Sequence, residues 1–343
     1  MEGIASTLPR RLRPVGVVGG SPLTRIATPA DAFALVGDDM AAAESQLARL
    51  LGSDVRQVSA VGSYLAEAGG KRLRPLLTAL GCRAAGLGGD IARLMCVGEL
   101  IHLGSLLHDD VVDDADERRG KPAAHLVHGN ACTILSGDFC LARAILLASE
   151  EGSHAAVTEL ARAVTAMAEG EVLQLVHAGD LSTTRAAWLE TVDKKSAALI
   201  AWCAAVGAWV SEQEPLAAHM EAFGRKVGVA FQVTDDVLDY GGDARVTGKL
   251  VGADLRERKI TLPLLHAFER VEGLRERLEA GPPSDGELPE LVGLVRDSGA
   301  LEASLADARR WTEAGIEALA TLPDSLHKDA LIRLAWYLVE RVR

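Results

Sequence analysis

Fifteen consecutive residues decide how this chain folds and what it binds: Leu106-Leu107-His108-Asp109-Asp110-Val111-Val112-Asp113-Asp114-Ala115-Asp116-Glu117-Arg118-Arg119-Gly120. A largely apolar run, residues 97–107, leads into them, and five aspartates and one glutamate then fall within nine positions. The pattern predicts a buried helix that ends in concentrated negative charge. Carboxylates this close repel one another, so a half-buried cluster of them requires a cation. A solvated acidic helix end is the alternative that this stretch alone leaves open.

The spacing of the first aspartates favours a divalent metal. In a helix, Asp109 and Asp113 lie one turn apart on the same face, with Asp110 beside them. Aspartate oxygens suit Mg²⁺, which keeps several waters and is usually shared with the phosphates of a substrate. We therefore predict that these three aspartates bind Mg²⁺. The neighbouring acids are not predicted as ligands: Asp114, Asp116 and Glu117.

A second cluster repeats the pattern 126 residues later. The segment Phe231-Gln232-Val233-Thr234-Asp235-Asp236-Val237-Leu238-Asp239 again runs from an apolar helix into D-D-x-x-D. One acidic patch is common on a protein surface, but two matching patches that are both accompanied by lysine or arginine are difficult to explain as solvated faces. We predict that Asp235, Asp236 and Asp239 face the first cluster across a helical bundle, where several Mg²⁺ ions bind a diphosphate.

Basic residues accompany the first cluster on both sides. The run Gly69-Gly70-Lys71-Arg72-Leu73-Arg74-Pro75 places Lys71 and Arg74 near a predicted helix N-terminus, which is a natural anion site. A basic turn exposed to water explains that run equally well. Arg118 and Arg119 follow the aspartates directly, and we predict that these cations hold a second phosphate group.

Polar residues also interrupt other apolar segments. His102 lies seven residues before Asp109 and therefore on the same helical face, although a lone histidine on an apolar helix is more often a core residue. Lys194-Lys195-Ser196 interrupts the apolar segment 184–210, where a diphosphate partner is one explanation and a kink or helix boundary is the other. Lys249 and Lys259 follow the second cluster in a region rich in cations.

Composition favours a large all-α domain. The chain has 343 residues, of which 48% are hydrophobic and only 4% aromatic, and its mean hydropathy of +0.14 allows a large buried core. No series of β-strands and no glycine motif of a nucleotide-binding loop is present in the sequence. We predict one helical bundle over residues 31–343. Residues 1–30, with four prolines and one acid, are predicted to be a disordered tail, and an organelle transit peptide is the alternative.

Charge and cysteine usage limit the partners and the compartment. A net charge of -12 and a pI of about 5.3 argue against a nucleic-acid-binding surface. The five cysteines show no C-x-x-C spacing and are typical of buried residues in a reducing compartment, so we predict a cytoplasmic protein. The longest apolar run, residues 197–210, has 14 residues and is too short to cross a bilayer, so no transmembrane segment is predicted.

From about residue 31 onward the chain resembles the trans-isoprenyl diphosphate synthase (polyprenyl synthetase) family. Seven motifs carry the resemblance: G-G-K-R-L-R-P at 69–75, L-L-H-D-D-V-V-D at 106–113, R-R-G at 118–120, G-D-F at 137–139, E-G-E-V-L-Q at 169–174, F-Q-V-T-D-D-V-L-D at 231–239 and G-K-x-x-G-x-D-L at 248–255. One departure is visible, because Ser196 stands where the family typically has threonine. The hydroxyl is retained, so the substitution puts little in doubt.

The resemblance implies an all-α bundle around a deep central cavity, usually in a homodimer. It implies a Mg²⁺-dependent enzyme that condenses an allylic diphosphate with isopentenyl diphosphate, head to tail. Carried over by position, both aspartate motifs resemble Mg²⁺ ligands. The predicted catalytic residues are Asp109, Asp110, Asp113, Asp235, Asp236 and Lys195. The residues that resemble the allylic diphosphate site are Arg118, Lys195, Gln232 and Lys249, and Ser196 and Lys259 are further candidates for substrate binding. Those that resemble the isopentenyl diphosphate pocket are Lys71, Arg74, His102 and Arg119.

Product length is predicted from the residues just before Asp109. Short-chain members of the family typically place bulky aromatic residues there, whereas this chain has Gly104 and Ser105. The small residues favour a long product of the octaprenyl class, used for quinone side chains. A deeper block is the alternative and would give a farnesyl or geranylgeranyl product, with three candidates on the neighbouring helix: Phe139, Leu141 and Ile145. A non-catalytic subunit of a heteromeric synthase and a terpene cyclase are weaker alternatives, because both aspartate motifs and the 69–75 motif are present.

Overall fold

The structure is a computed structural model that describes residues 26–67, 69–241 and 251–341. Its α-helices, numbered in chain order, are α1 (Pro29–Leu35), α2 (Gly37–Leu50), α3 (Arg56–Glu67), α4 (Leu73–Ala84), α5 (Ala92–Val112), α6 (Ala124–His128), α7 (Asn130–Glu151), α8 (His154–His177), α9 (Arg185–Val192), α10 (Ala198–Val210), α11 (Glu214–Gly241), α12 (Ala253–Arg256), α13 (Leu262–Phe268), α14 (Leu274–Glu279), α15 (Leu288–Asp297), α16 (Ala300–Ala318) and α17 (Leu326–Glu340). The all-α prediction is confirmed.

Two short elements depart from regular helix. Glu117–Arg118 (β1) and Lys121–Pro122 (β2) form a two-stranded antiparallel hairpin directly after the first aspartate cluster. Asp193–Ala197 forms a π-helical turn between α9 and α10, so the polar interruption of this apolar segment is a local widening of the helix. Such turns are rare and are frequent at functional sites.

The described residues form two compact units, each built from separate stretches of chain. Unit 1 comprises the described part of Met1–Arg162 together with Ile200–Glu221 and Leu319–Arg333. Unit 2 comprises Ala163–Leu199, Ala222–Ala318 and the described part of Leu334–Arg343. A single domain over residues 31–343 stays a prediction.

Unit 1 packs its central helices through small residues. A Cβ on Gly81 of α4 would lie 2.3 Å from the carbonyl oxygen of Ala204 on α10, and one on Gly98 of α5 would lie 2.3 Å from the sulfur of Cys203. Both distances are shorter than van der Waals contact, so α10 approaches α4 and α5 only because these positions lack side chains. Burial raises the pKa of the Cys203 thiol to about 12, which makes it a packing residue rather than a nucleophile.

Unit 2 holds α11 between two apolar clusters. Val233 of α11 packs in one cluster with Trp188 of α9 and residues of α13 and α16. Val237 and Tyr240 pack in the other, with residues of α12 to α16. Because the second aspartate motif lies on the intervening positions of the same helix, this packing fixes its orientation.

Helix α7 bears on the prediction that no segment crosses a membrane. Among the described helices, α7 alone is long and apolar enough to cross a membrane by length and composition. The search for uninterrupted apolar runs did not identify it, because Asp138 and Arg143 interrupt its apolar sequence. Its buried face packs on α5, as in the core helix of a globular domain. Length and composition alone therefore do not make α7 a membrane span.

Several predicted boundaries shift. The first helix begins at Pro29, where Thr28 and Asp31 form a capping box, two residues before the predicted domain start. Residues 1–25 of the predicted tail lie outside the described residues. Residues 261–278 do not form one helix, because α13 and α14 are separate and Gly273 between them has a φ of 75°. That left-handed conformation is incompatible with a continuous helix.

Candidate active site

The first aspartate cluster lies at the C-terminal end of α5. The backbone N–H of Asp113 donates to the carbonyl oxygen of Asp109 at 2.8 Å, so the two residues lie one turn apart as the spacing predicts. Asp110 is completely buried, whereas Asp109 and Asp113 are half-buried. An ionised carboxylate in such a position needs a charged partner.

Arg118 provides that partner through the hairpin. Its Nε and Nη2 atoms both lie 2.7 Å from Oδ1 of Asp110. The other carboxylate oxygen, Oδ2, is buried and has no hydrogen-bond partner among the described residues. A metal ion or an ordered water is the natural partner for such an oxygen.

The turn of the hairpin separates the two adjacent arginines. Arg119 and Gly120 both have positive φ values, 54° and 77°, which is the backbone of a tight two-residue hairpin turn. Arg118 consequently reaches Asp110, while Nη1 of Arg119 donates to the carbonyl oxygen of Gly69. The resemblance assigns the two arginines to different diphosphates. The hairpin was not predicted, and its local signal in the sequence is the Arg-Gly pair at its tip.

Several arginines surround His102 with positive charge. Burial lowers the pKa of His102 well below its usual range, and the guanidinium groups of Arg74, Arg119 and Arg118 lower it further. Three predicted anion-binding residues therefore share one neighbourhood with His102. The fourth, Lys71, is exposed at the start of the same motif.

Arg72, within the same motif, has a structural function. It has a φ of 46° and pairs with Glu44 at 2.8 Å and with the buried Glu99 at 3.0 Å. These two ion pairs fix the entry to α4. The neighbouring Arg74 is thereby held at the first turn of that helix.

The second aspartate cluster is organised by a chain of side-chain hydrogen bonds. The Ser196 hydroxyl donates to Oε1 of Gln232 at 2.8 Å, and Nε2 of Gln232 donates to Oδ1 of the buried Asp236 at 2.9 Å. Burial raises the pKa of Asp236 well above its usual range, and the nearby carboxylates of Asp254, Asp235 and Asp239 add to this effect. Asp254 was not among the predicted site residues, although it lies within the G-K-x-x-G-x-D-L motif.

The other two aspartates of this cluster each have a defined partner. Asp239 accepts the backbone N–H groups of Ala253 and Asp254, at 3.2 and 3.1 Å, and so caps the start of α12. Asp235 pairs with Arg341 at 2.5 Å. Nothing in the sequence pattern links Arg341, close to the chain end, with the aspartate motif.

The π-helical turn presents the two lysines. Lys194 pairs with Glu169 at 2.9 Å, and Lys195 pairs with Glu171 at 2.5 Å, so the E-G-E motif of α8 provides both partners. A Cβ on Gly170 would lie 2.4 Å from the backbone nitrogen of Lys195. The glycine between the two acids is therefore required for α8 to approach the turn this closely.

The remaining predicted site residues differ in their surroundings. Lys259 is half-buried and pairs with Glu257. Lys249 lies outside the described residues. The Ser105 hydroxyl donates to the carbonyl oxygen of His102 at 3.0 Å.

Gly104 has a second reason to be small. A Cβ there would lie 2.9 Å from the carbonyl oxygen of Gly137 and 3.4 Å from Leu141, so α5 and α7 meet at this point. Among the proposed deeper blocks, the side chain of Ile145 is 50% exposed on the outer face of α7, which argues against a position in a buried tube. Phe139 is half-buried and lies beneath the Arg143 guanidinium.

The carboxylates do not enclose a metal by themselves. Within the part of the chain that the structure describes, no three His, Cys, Asp or Glu side chains are grouped closely enough to hold a metal ion. Mg²⁺ commonly takes only one or two protein carboxylates and completes its shell with water and phosphate oxygens. Clustered aspartates with an unpartnered buried oxygen fit such an open site.

Comparison with known proteins adds an independent result. The sequence profile of the polyprenyl synthetase family matches residues 55–295. The chain belongs to the polyprenyl synthetase family. Octaprenyl diphosphate synthase of Escherichia coli is 37% identical over 320 residues, which cover 90% of this chain and 98% of that protein. As a member of this family, the chain is a trans-prenyltransferase.

Solved structures of other members have the same fold. A polyprenyl synthase from Caulobacter crescentus, complexed with calcium and isoprenyl diphosphate, is 38% identical with a TM-score of 0.88, and the match covers 94% of this chain and all of that one. A decaprenyl diphosphate synthase from Rhodobacter capsulatus is 38% identical with a TM-score of 0.85, over 92% of this chain and 99% of that one. The expected fold and family are both confirmed.

The depressed pKa of His102 predicts a stability change with pH. The unfolded chain takes up a proton at His102 near pH 6.5, whereas the folded chain resists it, so stability falls as the pH drops below about 6.5. One such histidine contributes a slope of at most about 1.4 kcal/mol per pH unit. We expect His102→Gln to lose less stability than the wild type between pH 7.5 and 5, measured by urea unfolding. His154→Gln, at an exposed position, is the control, and an unchanged slope in His102→Gln would contradict the assignment.

Proposed function

We propose that this enzyme is a Mg²⁺-dependent synthase that extends an allylic diphosphate with isopentenyl diphosphate, head to tail, to an all-trans long-chain polyprenyl diphosphate. The observation that carries the proposal is the pair of D-D-x-x-D clusters at the ends of apolar helices α5 and α11, each in contact with cationic side chains. The names of the relatives, octaprenyl and decaprenyl diphosphate synthases, support the octaprenyl class of product.

The proposed metal ligands are the aspartates of both motifs: Asp109, Asp110, Asp113, Asp235, Asp236 and Asp239. Bound Mg²⁺ would supply positive charge to the diphosphate as the allylic C–O bond breaks. The calcium and isoprenyl diphosphate bound to the relative from Caulobacter crescentus support a divalent cation at such a site. Asp110 keeps Oδ2 available for this purpose while Arg118 neutralises Oδ1.

Cationic side chains would orient the two substrates. Arg118 and Lys195 are fixed by carboxylate partners, and we assign them, with Ser196, Gln232, Lys249 and Lys259, to the allylic diphosphate. Arg74 and Arg119 lie near the neutral His102, and we assign these residues, with Lys71, to isopentenyl diphosphate. Guanidinium groups held in advance by hydrogen bonds stabilise developing negative charge without reorganising.

The chemical step then needs little further from the protein. The allylic carbon loses its diphosphate, the isopentenyl double bond attacks the resulting cation, and a proton leaves the new product. We propose that the released diphosphate accepts this proton. The apolar helices that precede both aspartate motifs would exclude water, which would otherwise react with the cation.

The proposal predicts elongation that depends on a divalent metal and on both aspartate motifs. Purified enzyme with Mg²⁺, labelled isopentenyl diphosphate and an allylic primer should form products that chromatography resolves by chain length. Removal of metal with EDTA, or Asp109→Ala, should reduce elongation at least about 100-fold, because charge stabilisation at the leaving group is lost. Asp116→Ala, which changes a neighbouring acid outside the motif, should remain active. Absence of any elongation by the wild type would refute the proposed function.

Product length depends, in this proposal, on the small side chain of Ser105. Ser105→Phe should shorten the dominant product because the ring would occupy the path of the growing chain one turn below Asp109. Ser105→Ala is the matched control and should leave the distribution unchanged. Chromatography of dephosphorylated products gives the measurement. An unaltered distribution in Ser105→Phe would show that the chain does not pass this residue.

We propose that the enzyme is a homodimer that buries the outer face of α6 and α7. The large apolar side chains exposed on these helices are Leu126, Val127, Ile134, Leu135, Ile145 and Leu146. Several large apolar side chains exposed on neighbouring helices are typical of a protein interface. This face supports a dimer. The free cysteines suit a reducing compartment and support a cytoplasmic location.

The dimer proposal predicts that a charge on this face separates the protomers. Leu135→Glu should shift the mass measured by light scattering from dimer to monomer, because a carboxylate would be buried without a partner. Val55→Glu places the same charge at an exposed valine before α3 and should remain dimeric. A wild type that is monomeric at micromolar concentration would contradict the proposal.

A further inference from the structure

Arg341 follows α17 directly and is firmly held against the second aspartate motif. Its Nη2 atom lies 2.5 Å from Oδ1 of Asp235 and 3.5 Å from the carbonyl oxygen of Phe231. Its Nε donates to the carbonyl oxygen of Leu338 at 3.0 Å, and its guanidinium lies 4.5 Å from the centre of the Phe231 ring. The side chain is only 8% exposed. Four interactions thus place one positive charge on Asp235.

The surroundings of Asp235 explain why a cation is needed there. Asp236 is 5% exposed, Asp235 and Asp239 lie beside it on the same helix, and Asp254 is held against Asp239 through its backbone N–H. This is a concentration of negative charge in a partly buried place, and a fixed guanidinium offsets some of it. A divalent cation bound to Asp235 would perform the same task with twice the charge.

We propose that Arg341 is the resident counter-ion of Asp235 and must leave Oδ1 when a divalent cation binds there. The inference rests on the proposed function, because it takes Asp235 as a metal ligand. Two cations on one carboxylate oxygen repel each other, so Arg341 competes with the metal and metal binding displaces the residue that follows α17. Arg341 is thus a positioning residue: it holds the Asp235 carboxylate in place before the metal arrives.

Binding of Mn²⁺ to the full-length chain without substrate tests the competition. Free Mn²⁺ would be followed by electron paramagnetic resonance, so enzymatic activity is not the readout. Arg341→Gln removes the competing charge and should bind Mn²⁺ about five-fold more tightly, the effect expected for loss of one partly exposed ion pair. Arg341→Lys keeps the charge and should resemble the wild type. Equal or weaker binding by Arg341→Gln would overturn the proposal.

A matched control separates this contact from net charge. Arg296 of α15 is an exposed arginine that pairs only loosely with its neighbour Asp297, at 3.3 Å. Arg296→Gln removes the same charge from unit 2 and should bind Mn²⁺ as the wild type does. An equal gain in Arg296→Gln would show that only net charge matters, which would also overturn the proposal.

The wild type offers a second measurement that does not depend on how a variant folds. Phenylglyoxal modifies accessible arginines, and peptide mass spectrometry reports the extent at each position. Arg341 should react slowly in the free protein and faster once Mn²⁺ is added, while Arg296 should react equally in both conditions. Unchanged labelling of Arg341 in the presence of saturating Mn²⁺ would overturn the displacement.

Asp235→Asn distinguishes failure of the inference from failure of the proposed function. If Asp235→Asn binds Mn²⁺ as tightly as the wild type, Asp235 is not a metal ligand and the proposed metal site is wrong. If Asp235→Asn binds weakly while Arg341→Gln is unchanged, the metal site stands and the role of Arg341 is wrong. Weak binding by Asp235→Asn together with tighter binding by Arg341→Gln supports both.

Discussion

Repulsion between carboxylates that are partly removed from water is the constraint on which the rest of this structure depends. Each aspartate motif ends or interrupts an apolar helix, so its charges cannot simply be solvated. Cationic side chains offset part of this charge: Arg118, on the hairpin just after α5, pairs with Asp110, and Arg341, which follows the last helix, pairs with Asp235. Each contact neutralises only one carboxylate, so each aspartate cluster keeps a net negative charge. That charge is what a divalent cation requires.

The fold and the family could be predicted from the sequence because their signals are local and repeated. The apolar runs at residues 97–107 and 197–210 fall within or almost within single helices, α5 and α10, and the two aspartate motifs are recognisable without knowledge of their neighbours. The family resemblance, rather than a local pattern, groups Arg74 and Arg119 with His102, and both guanidinium groups act on that side chain in the structure.

Other features depend on contacts that no local pattern encodes. The pairing of Asp235 with Arg341 joins residues 106 positions apart, and the need for Gly170 becomes clear only once Lys195 is seen against it. Gly104 gives a related lesson, because its small size was attributed to the product path, while the structure shows it at the contact of α5 with α7. A glycine in a sequence can indicate that another group lies too close for a side chain, but the sequence does not identify that group.

In the hairpin formed by β1 and β2, the number of residues that lead into it matters as much as their identity. Neighbouring residues in a strand and turn point in different directions, so the register of the hairpin decides which arginine meets Asp110 and which meets Gly69. Loss of Ala115 would preserve every charge in the region and place Arg119, rather than Arg118, opposite Asp110. The number of residues in this loop therefore contributes to substrate specificity. We expect a family member with an insertion or deletion there to recognise its two diphosphates differently, even if it retains both arginines.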